Sequence, residues 1–443
     1  MLVRSRSRDH KERLLNEIVR HIITALFGRG ILRLAQFVAF LFLARLMSPA
    51  EFGWFGIITT TIGIAGMLGS LGLRQAFAYE IGQHYRSSGE AAGTALAVWL
   101  PLAAATTAVV YLLYGRELPR FSPPEAAAMI MLGVSTLLLL MFCQGIFLGR
   151  GDIRAYTISE TIPRLVLMAV VILCAAFIVI DLQVALWAFS GGTAVAAVYS
   201  VYVVLQDTDK IATRFRRFSV TVRYGLISAV NASLVALSAR LSMFVIEHYS
   251  DAAAAGTFYA AARVNETILE AATVVGMVLF SNAARQNKHS GTFTRNAKIA
   301  SWMLWLFFVL GGVVALAAPL VITALVGSDY AAAVPALQIL ALSFGPTAAT
   351  RVIYPTLSGS GAPHFGTPII IFSLVVNTVL AMVMVPTMGI NGGAIAMVVG
   401  QFVLFFGYVI ACRTNFGINI RDLLLPRRKD VQRMFVYLSR KYR

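Results

Sequence analysis

Long apolar runs alternate with short polar breaks along the whole chain, and each run has the length that a bilayer demands. A helix rising 1.5 Å per residue needs ~20 apolar residues to cross a ~30 Å hydrocarbon core. Such runs begin near Phe27, Gly53, Gly93, Ala126, Ile162, Val184, Tyr224, Gly256, Ile299, Pro335, Thr367 and Gly392. They are apolar at odd and even positions alike, which excludes the ~10-residue alternating strands of a membrane barrel. The pattern therefore predicts about twelve transmembrane helices. Breaks on one side are very short, as at Ile180-Asp181-Leu182 and Met388-Gly389-Ile390, and leave no room for a domain there. The longest interior break, 206–223, divides the runs into two groups of six.

One run departs from the apolar pattern. Between Gly256 and Ser281 the chain carries Arg263, Glu266 and Glu270. At 100° per residue they share one helix face with Tyr259, Thr267 and Thr273. Each charge in hydrocarbon costs at least ~2.5 kcal/mol on insertion scales, so the stripe must face a polar interior or pair within itself. Arg263 and Glu266 have the spacing of a helical ion pair. Glu270 has no cation within a turn on its own helix, and an ionisable residue inside a membrane segment is by default a candidate for an ion or proton path. Glu270 is the first candidate for ion coupling and Glu266 the second.

Composition agrees with a membrane chain: 58% of residues are hydrophobic and 13% charged, with a mean hydropathy of +0.76. A net charge of +17 would suggest nucleic acid in a soluble protein. Here about 29 of the 37 Lys and Arg fall in the tails and even-numbered loops, against Arg116 and Arg120 in odd-numbered ones, which is the positive-inside bias and calls for no nucleic acid. Both termini are therefore expected in the cytoplasm, the basic tails against membrane lipids. Leu14, Leu15, Ile18 and Ile22 suggest an interfacial helix before the first run. The charged first twenty residues do not form a cleavable signal peptide. Cys143, Cys174 and Cys412 lie in or at the ends of runs, without pairing or metal spacing. The histidines are scattered, and the Gly-rich pieces lack a phosphate-loop pattern, so no metal and no cofactor is expected.

The two groups of six echo each other. Ala50-Glu51-Phe52-Gly53-Trp54-Phe55 and Ala253-Ala254-Ala255-Gly256-Thr257-Phe258 both read A-x-x-G-x-F at the start of the second run of each group. Gly149-Arg150-Gly151 and Gly359-Ser360-Gly361 form a second echo. An even number of spans per repeat preserves orientation. The expected fold is an all-α polytopic membrane protein with about 12 transmembrane helices, in two parallel-repeat six-helix lobes around a central cavity. Its parts are a basic cytoplasmic tail with the interfacial helix (1–26), an N-terminal lobe (27–205), a cytoplasmic inter-lobe loop (206–223), a C-terminal lobe (224–412) and a second basic tail (413–443).

Leu26 to Ile57, with its core Ala44-Arg45-Leu46 and Pro49-x-Glu51-Phe52-Gly53, resembles the opening of the polysaccharide transport family of the MOP exporter superfamily. Gly149-Arg150, Ala239-Arg240-Leu241, Gly256-x-Phe258-Tyr259 and Gly389-Ile390-x-Gly392-Gly393-Ala394 extend the resemblance in order over nearly the whole chain. Ser242 stands where family members often have an acid. The resemblance implies a flippase, not an enzyme. Its cargo would be an undecaprenyl-diphosphate-linked oligosaccharide for O-antigen or exopolysaccharide. Alternating access would carry it from the cytoplasmic to the periplasmic leaflet of the bacterial inner membrane, with polysaccharide polymerase and export proteins as partners. The competing readings are a drug/cation antiporter of the same superfamily and a membrane-embedded glycan polymerase or ligase. The short outer breaks speak against the polymerase or ligase.

A diphosphate needs cations, best the planar fork of arginine, and a sugar chain needs hydrogen-bonding and aromatic groups. The candidates on polar helix faces are Arg33, Gln36, Asn231, Tyr259, Arg263, Arg351 and Tyr354. Pro346 and Pro355 beside Arg351 predict a kink or broken helix there.

Overall fold

A computed structural model describes residues 36–177, 180–208, 210–213, 215, 218–285, 290–359 and 366–425. Arg33, the 14–22 amphipathic stretch, both far tails and the Ser360-Gly361 part of the second echo lie outside them. The described chain is helical throughout. α1 (Gln36–Leu46) leads into α2 (Pro49–Gly69), α3 (Leu73–Gly82), α4 (Ser88–Val110), α5 (Pro123–Arg150), α6 (Ile153–Phe177) and α7 (Leu182–Gln206). α8 (Phe218–Ser238), α9 (Leu241–Tyr249), α10 (Ala252–Arg285), α11 (Ser290–Val321), α12 (Ala333–Ala341), α13 (Phe344–Gly359), α14 (Gly366–Phe416) and the short α15 (Ile420–Leu424) follow.

Among the described residues, seven helices are long and apolar enough to cross a membrane, or nine if each bent pair is one span. The bent pairs are α8 with α9, at 54°, and α12 with α13, at 52°. α14 is far too long for one crossing, and it breaks at Gly389, where φ 54° and ψ −131° lie outside the reach of a residue with a Cβ. Counting it twice and adding α10, which is long but charged, accounts for eleven of the twelve predicted spans, and α1 is the described part of the last. The surface is apolar where lipid would touch it: Leu316, Val198 and Leu320 are 86%, 72% and 69% exposed.

Local signals set the helix ends. Ser48 and Glu51 close a capping box at the start of α2, and Ser87 and Glu90 do the same for α4. Pro346 falls in the first turn of α13, where a missing N–H costs nothing, and the predicted break lies just before it. The third span of each half ends in a π-helical turn, Tyr111–Gly115 after α4 and Ile322–Val326 after α11. That shared irregularity at equivalent positions is a structural trace of the duplication.

The chain forms two compact units, Leu34–Tyr259 and Ala260–Arg443. The first takes in α8, α9 and the opening turns of α10, and close backbone approach explains why. A Cβ on Gly53 would lie 1.9 Å from the Ala252 carbonyl oxygen, and one on Gly256 would lie 2.0 Å from that of Pro49. The two glycines of the A-x-x-G-x-F echo thus pack against each other. Residues after α7 are strapped along the start of α4. Ala212 N–H donates to the Gly89 carbonyl at 3.3 Å, and Arg150 donates to Ser88 Oγ at 2.7 Å and Thr208 Oγ1 at 2.6 Å.

Candidate functional site

Among the described residues, the unit Ala260–Arg443 places Arg263, Glu266 and Glu270 on α10 and Arg351 beside it. On α10, Arg263 Nη1 lies 3.5 Å from Glu266 Oε2, with the two side chains 28% and 22% exposed. This is the ion pair the spacing predicts. Thr267 Oγ1 donates back to the Arg263 carbonyl at 2.8 Å, which keeps its hydroxyl satisfied in an apolar setting. One turn on comes Glu270.

α13 supplies what the α10 sequence lacks near Glu270. Arg351 Nη1 donates to the Leu269 carbonyl at 3.0 Å and to Thr273 Oγ1 at 2.5 Å. A guanidinium therefore docks on the turn that contains Glu270. The approach depends on Gly276, where a Cβ would fall 1.9 Å from the Arg351 carbonyl oxygen. α10 and α13 touch backbone to backbone, so the long arginine side chain reaches back along its neighbour. One turn further along α13, the Tyr354 ring stacks at a tilt against Tyr408 of α14, 5.8 Å between centroids. Thr347 Oγ1 donates to Gln401 Oε1 at 3.3 Å on the same pair of helices. The polar face of α13 thus spans Thr347, Arg351 and Tyr354, with the Leu269–Thr273 turn of α10 against Arg351.

Of the sequence candidates, Arg263, Glu266, Glu270, Arg351 and Tyr354 belong to this group. Gln36, Asn231 and Tyr259 belong to the other unit. Gln36 opens α1 and Asn231 lies on α8, both half-buried. Tyr259 is 1% exposed and packs on Phe52 with 5.2 Å between ring centroids. The Arg240 guanidinium lies over the Tyr259 ring at 5.4 Å. Arg240 thus has an aromatic face to rest on.

Several charged groups escaped the sequence reading. Glu160 and Arg164 pair at 3.1 Å on α6, and their i,i+4 spacing was the available signal. Arg86 is 6% exposed. It pairs with Glu80 at 2.7 Å and donates to Thr94 Oγ1 at 2.9 Å, while Thr221 of α8 donates to the same carboxylate. Arg120, in an odd-numbered loop, bridges Glu51 at 2.9 Å and Asp181 at 3.2 Å. The Thr221 and Arg120 contacts join residues far apart in sequence, so no local pattern could announce them.

A family model described as "Polysaccharide biosynthesis protein" matches residues 18–280. No curated protein matches the chain. Among solved structures, the lipid II flippase MurJ in an inward closed conformation superposes with a TM-score of 0.72 at 12% identity, over 94% of this chain and 93% of that one. An inward-facing multidrug resistance MATE family transporter of the MOP superfamily gives 0.68 at 16% identity, over 87% and 94%. A MOP superfamily transporter from Pyrococcus furiosus, described as having a binding pocket of reverse polarity, gives 0.63 at 17%, over 90% and 95%. Likeness at this identity establishes the fold these transporters share, and the chain is a multi-pass membrane protein. The family model covers more than half of the 443 residues, and the chain belongs to the polysaccharide biosynthesis protein family.

Proposed function

We propose that this protein is a flippase. It moves an undecaprenyl-diphosphate-linked oligosaccharide, bound for O-antigen or exopolysaccharide, from the cytoplasmic to the periplasmic leaflet of a bacterial inner membrane. Both termini lie in the cytoplasm, and lobes 27–205 and 224–412 alternate access. The observation that carries the reading is a pair of arginines spaced along α10, Arg263 on the helix itself and Arg351 docked from α13 on the Leu269–Thr273 turn, in a chain of this family. Arginine's fork suits a diphosphate, while Tyr354 and the threonines offer hydrogen bonds and a ring face to sugars. Arg33, Gln36 and Asn231 complete the cargo surface in this proposal. Polysaccharide polymerase and export proteins take the product.

No nucleotide-binding motif is present, which leaves an ion gradient or consumption of the glycan outside as the energy source, and the proposal takes the first. Glu270 beside Arg351 is the coupling group, with Glu266 tied to Arg263 as a second carboxylate. Coupling requires that the two protonation states favour different facing states. Glu270→Gln then stalls gradient-driven flipping while cargo binding survives. The test is flipping of a lipid-linked oligosaccharide in vesicles under an imposed proton gradient, then a sodium gradient. Flipping that ignores both gradients, with Glu270→Gln equally active, removes Glu270 from the mechanism.

The second reading is a drug/cation antiporter, favoured by the MATE-like fold and the two carboxylates of α10. It predicts transport of an organic cation that Arg263→Gln and Arg351→Gln leave intact.

A further inference from the structure

The outer face of α14 carries a groove of about 660 Å³, open on one side. Its walls come from both halves of the helix: Pro368, Ile369 and Phe372 before the Gly389 break, and Val403, Phe406 and Ile410 after it. Gly407 forms the floor, since a Cβ there would meet Ile369 Cγ2 at 2.4 Å. Phe372, Phe406 and Ile410 are 61%, 50% and 59% exposed, as lipid-facing residues are. Phe406 and Ile410 lie on the side of the helix away from Tyr408, which is 1% exposed and packs towards α13. The groove is therefore separate from the charged turn described above.

The charges sit at one end of it. Phe406, Ile410 and Arg413 fall within about 60° of one another on the helix, so Arg413 stands a turn beyond the groove on the same face. Arg413 is exposed in the last turn of α14. Pro368 and Ile369, at the same end of the groove, belong to the first turn of α14, the positive end of its peptide dipoles. An apolar slot with positive charge at one mouth is complementary to a molecule with a hydrocarbon chain and an anionic head.

We propose that this groove is a binding site for an anionic phospholipid of the surrounding bilayer, its acyl chain in the slot and its phosphate at Arg413. Basic sites between membrane helices on the cytoplasmic side select anionic head groups in this way. The site does not depend on the flippase reading.

The full chain is reconstituted in vesicles doped with phosphatidylglycerol or phosphatidylcholine, each carrying a photoactivatable diazirine in its acyl chain. Labelled peptides are quantified by mass spectrometry. The peptide spanning 399–410 should label about fivefold more with the anionic probe, the factor one basic residue confers. The peptide containing the lipid-exposed Val198 should show no such preference and serves as the internal control. Arg413→Gln should bring the groove ratio to the control's, and Arg413→Lys should keep it. Val403→Trp, which fills the slot, should remove the labelling itself. Equal labelling by both probes, or a ratio unchanged in Arg413→Gln, overturns the proposal. So does displacement of the label by added polyprenyl diphosphate but not by unlabelled phosphatidylglycerol, which would make the carrier lipid the occupant.

Discussion

Two clusters of charge in this protein share their chemistry and differ in their surroundings. Glu80, Arg86, Thr94 and Thr221 form a closed network, with the arginine 6% exposed and both carboxylate oxygens engaged. Along α10, Arg263 pairs with Glu266, both side chains about a quarter exposed, and further on Arg351 docks through Thr273 on the turn of Glu270. The first fastens α8 to α3 and α4. The second leaves the Arg263 and Glu266 side chains partly exposed, as the proposed binding surface requires. A charge in a membrane helix is a functional hint, but burial separates a fastening from a binding surface.

Removing each cluster tests that contrast. Arg86→Met leaves the Glu80 carboxylate buried without its cation, which should cost about 3–5 kcal/mol. Thermal unfolding of the detergent-solubilised protein should show the loss, and export should fall only in step with folded protein. If Arg86→Met unfolds normally yet abolishes export, the closed network is functional after all.

Next in size is the glycine contact between α2 and α10. Gly256→Ala places a methyl about 2 Å from a carbonyl oxygen, and overpacking of this kind costs roughly 1–3 kcal/mol. Gly63→Ala, on the same α2 but with open space around it, should be neutral in the same melt.

The open cluster predicts the opposite signature. Arg263→Gln with Arg351→Gln should lower export by about tenfold or more, roughly 1.4 kcal/mol in a rate, while the melting point moves little. The Lys pair should recover part of the rate, since it restores charge without the fork. A melt shift as large as that of Arg86→Met would move Arg351 to the structural side. Smallest of all, Ser48→Ala loses the α2 capping box and should cost about 1 kcal/mol with export unchanged.

The candidate site was legible as far as it lies on one helix. Helical spacing aligned Arg263, Glu266 and Glu270, and the structure brings the first two to 3.5 Å. Arg351 is some eighty residues away, and nothing in its own segment points to Thr273. Tyr259 had the right angular position, but Phe52 and Arg240 close over it. Angular position on a helix says which residues share a face, and not what covers that face.

Hydropathy alone determined that the chain crosses a membrane about twelve times as helices, because each backbone polar group in lipid must be satisfied within its own segment. The A-x-x-G-x-F echo likewise exposed the duplication, since a repeat leaves its trace in sequence. Tertiary structure decided the rest. It set the two echo glycines against each other, buried the Arg86 network and carried Arg351 to the turn of Glu270. Those outcomes depend on close approach between segments distant in the chain, and the energy of such contacts resides in the pair rather than in either partner's local pattern.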